Sequence, residues 1–114
     1  MYKRLADLKT QTKLNSEGKE KMLKTNLADF DGWDNRIRLY SLVQVKPGEE
    51  VEFHTHVGES ETFFFLSGKG IYNDNGTCVE ITPGMVSFTP SGQGHSVKNT
   101  GDEILSLIAL ILVD

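Results

Sequence analysis

Across 114 residues the chain holds a single cysteine, three prolines and one tryptophan. With Cys78 alone, no disulfide can form within the chain and no thiolate-rich structural zinc cluster can be assembled. Cys78 itself reads as a small apolar residue in a strand, with a reactive thiol as the alternative. Hydrophobic residues make up 38%, and none of their runs approaches the length of about 20 that spans a bilayer as a helix. The opening stretch, MYKRLADLKTQTKLNS, has no signal-peptide-like apolar run, so the cytoplasm is the expected compartment and no membrane partner is expected. Basic residues are in deficit, 12 against 16 acidic for a net charge of −4. A pI near 5.3 leaves no basic stripe for nucleic acid. Lys19, Lys21 and Lys24 alternate with apolar or acidic residues and read as the solvated face of a strand. Helical periodicity is nearly absent, and no repeat or linker divides the chain.

What remains is a succession of short alternating or β-branched segments punctuated by turn residues. Strands are expected at Lys19 to Leu27, Ile37 to Val45, Glu50 to His56, Thr62 to Ser67, Gly70 to Tyr72, Thr77 to Ile81, Met85 to Thr89, His95 to Asn99 and Ile104 to Val113. Turn chemistry falls between them at Pro47-Gly48, Ser67-Gly68, Asn75-Gly76, Pro83-Gly84, Pro90 to Gly94 and Asn99 to Asp102. Asn75-Gly76 is the clearest, because a type I′ hairpin requires positive φ at both central residues. This pattern predicts one all-β domain over 1–114, a sandwich or barrel. Residues 1–35 form an N-terminal strand or arm, and 36–113 the barrel core.

All three histidines lie in two short segments, Gly48 to Gly68 and Gly84 to Asn99. Residues two apart on a strand share a face, so His54 and His56 can aim at one point, and alternation from Glu50 predicts that Glu52 shares it. Val57-Gly58 turns the chain, Glu61 enters an adjacent antiparallel strand opposite the histidine pair, and His95 comes from a third. Three imidazoles and a carboxylate suit a divalent transition metal, Mn, Fe, Ni, Co, Cu or Zn, with positions left for water or substrate. Glu59 can compete with Glu61 as ligand, hydrogen-bond a ligating imidazole, or face solvent.

These two segments resemble the paired motifs of the cupin superfamily. The first is matched at Gly48, His54, His56, Glu61 and Gly68, the second at Gly84, Pro90, Gly92, His95 and Asn99. The resemblance covers Arg36 to Val113 and implies a double-stranded β-helix, the cupin jelly roll. The run His-Thr-His-Val-Gly-Glu-Ser-Glu is similar to small single-domain proteins called oxalate-decarboxylase-like. Two departures stand against oxalate cleavage itself. Oxalate decarboxylases carry an arginine three residues before the first metal histidine, where this chain has Val51, and they use a lid carboxylate in a longer, two-cupin chain. Met85 also replaces the aspartate that commonly follows the motif glycine.

Parity places Phe63 and Phe65 on the face of Glu61, and Val97 and Asn99 on that of His95, giving an apolar pocket for a small-molecule ligand. Arg38, or Arg36, can reach a substrate carboxylate or remain a surface cation. Tyr40 and Trp33 are further candidates, with Trp33 also expected to anchor a loop. Candidate catalytic residues are therefore Arg38, Glu59 and Tyr40. Three functional readings follow: a metal-dependent enzyme on a small organic acid, ketone or sugar-derived substrate (decarboxylase or lyase, dioxygenase or isomerase); a non-catalytic binding or sensing module; or a metal-free isomerase with His95 as base. Phe63 to Leu66 and Ile104 to Leu112 are apolar on both faces. A homodimer covering the outer face is expected, with Lys19 to Leu27 exchanged between subunits or, alternatively, folded over its own sheet.

Overall fold

Nearly every turn read from the sequence separates two strands. The computed structural model describes residues 1–114, with a 3-10 turn at Leu5–Asp7 followed by ten strands. These are β1 (Thr10–Leu14), β2 (Glu20–Asn26), β3 (Ile37–Val45), β4 (Glu50–Thr55), β5 (Glu59–Ser67), β6 (Gly70–Asp74), β7 (Thr77–Ile81), β8 (Val86–Thr89), β9 (Gly94–Asn99) and β10 (Leu105–Val113). No helix is long and apolar enough to cross a membrane.

The strands form two antiparallel sheets, a six-stranded one in the order β1-β2-β3-β10-β5-β8 and a four-stranded one in the order β4-β9-β6-β7. Between them lie Met22, Val43, Val45, Phe63, Phe65, Leu105, Leu107 and Ala109 from the larger sheet, with Tyr72, Ile81 and Val97 from the smaller. Alternation explains the inward set, because β5 buries Glu59, Glu61, Phe63 and Phe65 and turns Phe64 and Leu66 outward. The register places inward-facing residues in rows across the large sheet. One row runs Lys24, Val43, Leu107, Phe65.

Two turns require unusual backbone. Asn75 and Gly76 sit at φ 48 and 105 between β6 and β7, the positive-φ pair that the I′ hairpin demands. Gly68 closes the β5–β6 corner at φ +101, and a Cβ there would lie 2.7 Å from the Leu105 Cα.

Four expectations need correction. Strand β1 was not anticipated: its five residues are all exposed, so no burial alternation marks it. Lys24 does not lie on a solvated face, since it shares the inward side of β2 with buried Met22 and is half-buried. Glu52 does not share the face of His54. The β4–β9 ladder pairs Val51 with Val97 and His54 with His95, so one extra residue bulges out and Glu52 and Phe53 are exposed. Glu61 does not neighbour the histidine strand; β4 and β5 belong to different sheets and face each other across the interior. The N-terminal strands extend the large sheet edgewise in the order β1-β2-β3, and its outer face keeps Phe64, Leu66, Val86, Phe88 and Leu112 exposed.

Candidate metal centre

His54 is the next-to-last residue of β4, and His56 follows just beyond the strand's end at Thr55. The His56 backbone is fixed to the loop before β9, its N–H donating to the Gln93 carbonyl at 3.0 Å and its carbonyl accepting from Gly92 N–H at 2.7 Å. His95 stands beside His54 on β9, and Glu61 reaches them from β5 in the opposite sheet. The four ligand-type atoms lie within 4.8 Å of one another, so His54, His56, Glu61 and His95 could hold one metal ion.

Each ring is oriented through its Nδ1. His54 Nδ1 donates to the Glu52 carbonyl at 2.8 Å. His56 Nδ1 donates to Glu59 Oε2 at 2.7 Å, and Arg38 holds the other oxygen of that carboxylate. His95 Nδ1 lies 2.9 Å from Thr89 Oγ1 and 3.1 Å from the Tyr72 hydroxyl, both able to accept its hydrogen. Phe63 stacks on the His95 ring with centroids 4.6 Å apart.

In that tautomer every Nε2 presents a lone pair to the same point. His56 and His95 Nε2 are 3.1 Å apart, and His95 and His54 Nε2 are 3.2 Å apart. Glu61 Oε1 lies 2.9 Å from His56 Nε2, 2.8 Å from His95 Nε2 and 3.7 Å from His54 Nε2. Donors bound at about 2.1 Å and set at right angles around an ion would be about 3.0 Å apart. Most of the spacings fall near that figure. Without a cation the arrangement is electrostatically unfavourable, and protons substitute in part. Burial alone would push the Glu61 carboxyl up, but the imidazoles of His54 and His95 bring it down to about 2. In return Glu61 raises His54 above its usual value.

His56, Glu61 and His95 are buried. The His54 side chain is 41% exposed, which puts access to the centre on its side. A cavity of about 220 Å³ opens there, and its wall includes Met22, Lys24, Leu39, Val43, Val51, Phe63, Leu107, Ala109 and Ile111 beside His54, His56 and Glu61. The wall is therefore largely apolar.

Among the sequence-derived candidates, Glu59 contacts His56 and Arg38 contacts Glu59. Tyr40 stands apart, on the outer side of β3, where Trp33 stacks on it and on Phe30 at 6.0 Å each. Asn99 is buried, but it fastens a turn, donating to the Val45 and Glu103 carbonyls at 2.9 and 2.7 Å. Cys78 is exposed. Thr89, Tyr72 and Lys24 were not identified from sequence. Tyr72 and Thr89 meet His95 only through the pairing of β6 with β9 and of β5 with β8, whereas Lys24 could have been found from its two-residue spacing to Met22.

Residues 41–111 match a family profile described as a cupin domain. The chain is 38% identical over 96 residues to the oxalate-binding protein of Thermotoga maritima, covering 84% of this chain and 79% of the relative. It is 32% identical over 79 residues to oxalate decarboxylase OxdC of Bacillus subtilis, covering 65% of this chain but only 20% of that longer protein. In structure it is similar to a Thermotoga maritima protein described as a predicted oxalate decarboxylase, with a TM-score of 0.90, 34% identity and full coverage of both chains.

Proposed function

The chain belongs to the cupin family, and on that footing we propose that it is a single-domain, metal-dependent cupin acting on a small organic acid. His54, His56, Glu61 and His95 ligate one divalent transition ion, and the cavity beside His54 receives the acid. The observation that carries this reading is the convergence of three oriented imidazole nitrogens and one carboxylate oxygen at octahedral spacing, on the floor of an apolar cavity. The ion, once bound, supplies Lewis acidity toward a carboxylate or carbonyl oxygen. Glu59 and Arg38 keep the His56 ring in the tautomer that ligates, Thr89 and Tyr72 do the same for His95, and the aliphatic wall excludes water.

A non-catalytic binding module is the second reading, and one observation favours it. Every carboxylate and imidazole on the cavity wall belongs to the ligand set, and Glu59 is taken up by His56 and Arg38. No spare carboxylate or imidazole is left as general acid or base. The relative in Thermotoga maritima is itself named for binding oxalate. Elemental analysis of the purified protein, followed by turnover assays of the metal-loaded form on a panel of small organic acids, tests both readings. Metal at one ion per chain with turnover supports the enzyme. Metal with binding and no turnover supports the module, and no bound metal overturns both.

We further propose that the chain forms a homodimer through the open apolar face of the large sheet, and that it works in the cytoplasm.

A further inference from the structure

Three lysines are half-buried, Lys21, Lys24 and Lys46. Two of them meet an acid: Lys21 reaches Glu52 and Lys46 reaches Glu20, each at 3.4 Å. Lys24 makes no hydrogen bond or ion pair of that kind. Its position is set by register, since it pairs with Val43 on the inward side of β2 and lines the same cavity as His54, His56 and Glu61. Burial, with Lys13 adding to it, holds the Lys24 ammonium below its usual pKa, while Glu61 pulls the other way. An ammonium on an apolar wall favours an anion that arrives with the ligand.

The surroundings point the same way. A second hollow of about 370 Å³ shares Lys24 and Leu39 with the cavity, and its wall adds Lys9 and Arg38, of which Arg38 is already paired with Glu59 and Lys9 is not. On a chain of net charge −4, this concentration of cations at the cavity's edge draws anions toward it.

We infer that Lys24 is the specificity residue of this site: a short dicarboxylate, the chemical class of the oxalate for which the Thermotoga maritima relative is named, places one carboxylate at the metal centre and the other on the Lys24 ammonium. The inference rests on the metal-centre reading proposed above. A monocarboxylate or a neutral sugar would leave Lys24 without a counter-charge. A short dicarboxylate satisfies both ends and presents only a small apolar middle to Val43, Val51 and Leu107.

The test is calorimetry on the metal-loaded protein with oxalate, malonate and succinate against acetate and propionate, in the wild type and in Lys24→Met and Lys24→Arg, with metal content measured first. At least one dicarboxylate should bind the wild type tenfold or more tighter than either monocarboxylate. Lys24→Met, which keeps the apolar stem, should weaken that dicarboxylate by about ten- to a hundredfold, as expected for loss of a charge-assisted hydrogen bond. Acetate affinity and metal content should not change, and Lys24→Arg should retain most of the dicarboxylate affinity. Equal dicarboxylate affinity in wild type and Lys24→Met, at equal metal content, would overturn the role of Lys24 while leaving the metal centre standing. Wild-type protein without bound metal would overturn both, and the elemental analysis separates that failure from the first.

Discussion

The three imidazoles are oriented by partners of different kinds: a backbone carbonyl for His54, a carboxylate for His56 and two hydroxyls for His95. Side-chain partners can be removed without touching the four proposed ligands. Glu59→Gln keeps an acceptor for His56 but loses the charge that Arg38 holds, and should weaken metal affinity by about 10- to 100-fold. Titration against a competing chelator reads this directly. His56→Ala with His95→Ala should abolish stoichiometric metal, and a double variant retaining one ion per chain would remove those residues from the centre. The pH behaviour of the metal-free protein follows from Glu61 and His54. Glu61 is brought from 4.5 down to about 2, so its stabilising contribution is complete above 4.5 and is lost as pH falls toward about 2. His54 is raised from 6.5, so its contribution is complete below 6.5 and is lost as pH rises through the raised value. The two overlap between 4.5 and 6.5. Thermal unfolding of chelator-treated protein should show its greatest stability from this pair in that window, and loading metal should remove the loss on the alkaline side, because ligation takes the neutral imidazole.

At the scale of elements, turns and register decide where these side chains go. Gly68 combines a left-handed φ with a Cβ position 2.7 Å from the Leu105 Cα. Gly68→Ala should therefore cost on the order of 1–3 kcal/mol from strain alone and lower Tm by several degrees for a domain of this size, as read by calorimetry. The Asn75-Gly76 hairpin was legible because its requirement is local. Strand β1 was not, although Asn15 caps its turn, accepting from Glu17 and Lys19 N–H at 2.9 and 3.0 Å. TQTKL has no apolar side to bury, and what makes it a strand is pairing with β2. The β4 bulge escaped for a related reason. An extra residue between Val51 and His54 is visible only against the partner strand, and it swings Glu52 outward while leaving both Val51 and His54 on the cavity.

For the whole molecule, the large sheet presents an apolar outer face. Phe64 pairs with Val86 and with Ile108, Ile108 pairs with Leu42, and Phe88 lies one step along beside Thr62. Burying such a surface in a second copy removes it from water. Sedimentation at micromolar concentration should give a dimer mass, and Phe88→Glu should shift it toward monomer; a wild-type protein that sediments only as monomer would exclude the interface. The metal is expected to matter less to the fold than to the site. The core cluster of 11 buried residues lies between the sheets independently of any ion. A chelator should leave the far-ultraviolet circular dichroism at room temperature unchanged while lowering Tm.

Taken alone, the sequence determined the all-β class, nine of the ten strands and the identity of the clustered histidines and Glu61. Burial alternation, glycine at positive φ and the choice of nitrogen and oxygen donors are all written within a few neighbouring residues. Only the tertiary structure decided that Glu61 opposes the histidines across the interior, that Thr89 and Tyr72 orient His95, that Glu52 turns away and that Lys24 turns in. Those outcomes depend on lateral register between strands distant along the chain, where a shift of one residue exchanges the two faces of a strand, and no local pattern records which partner a strand will meet.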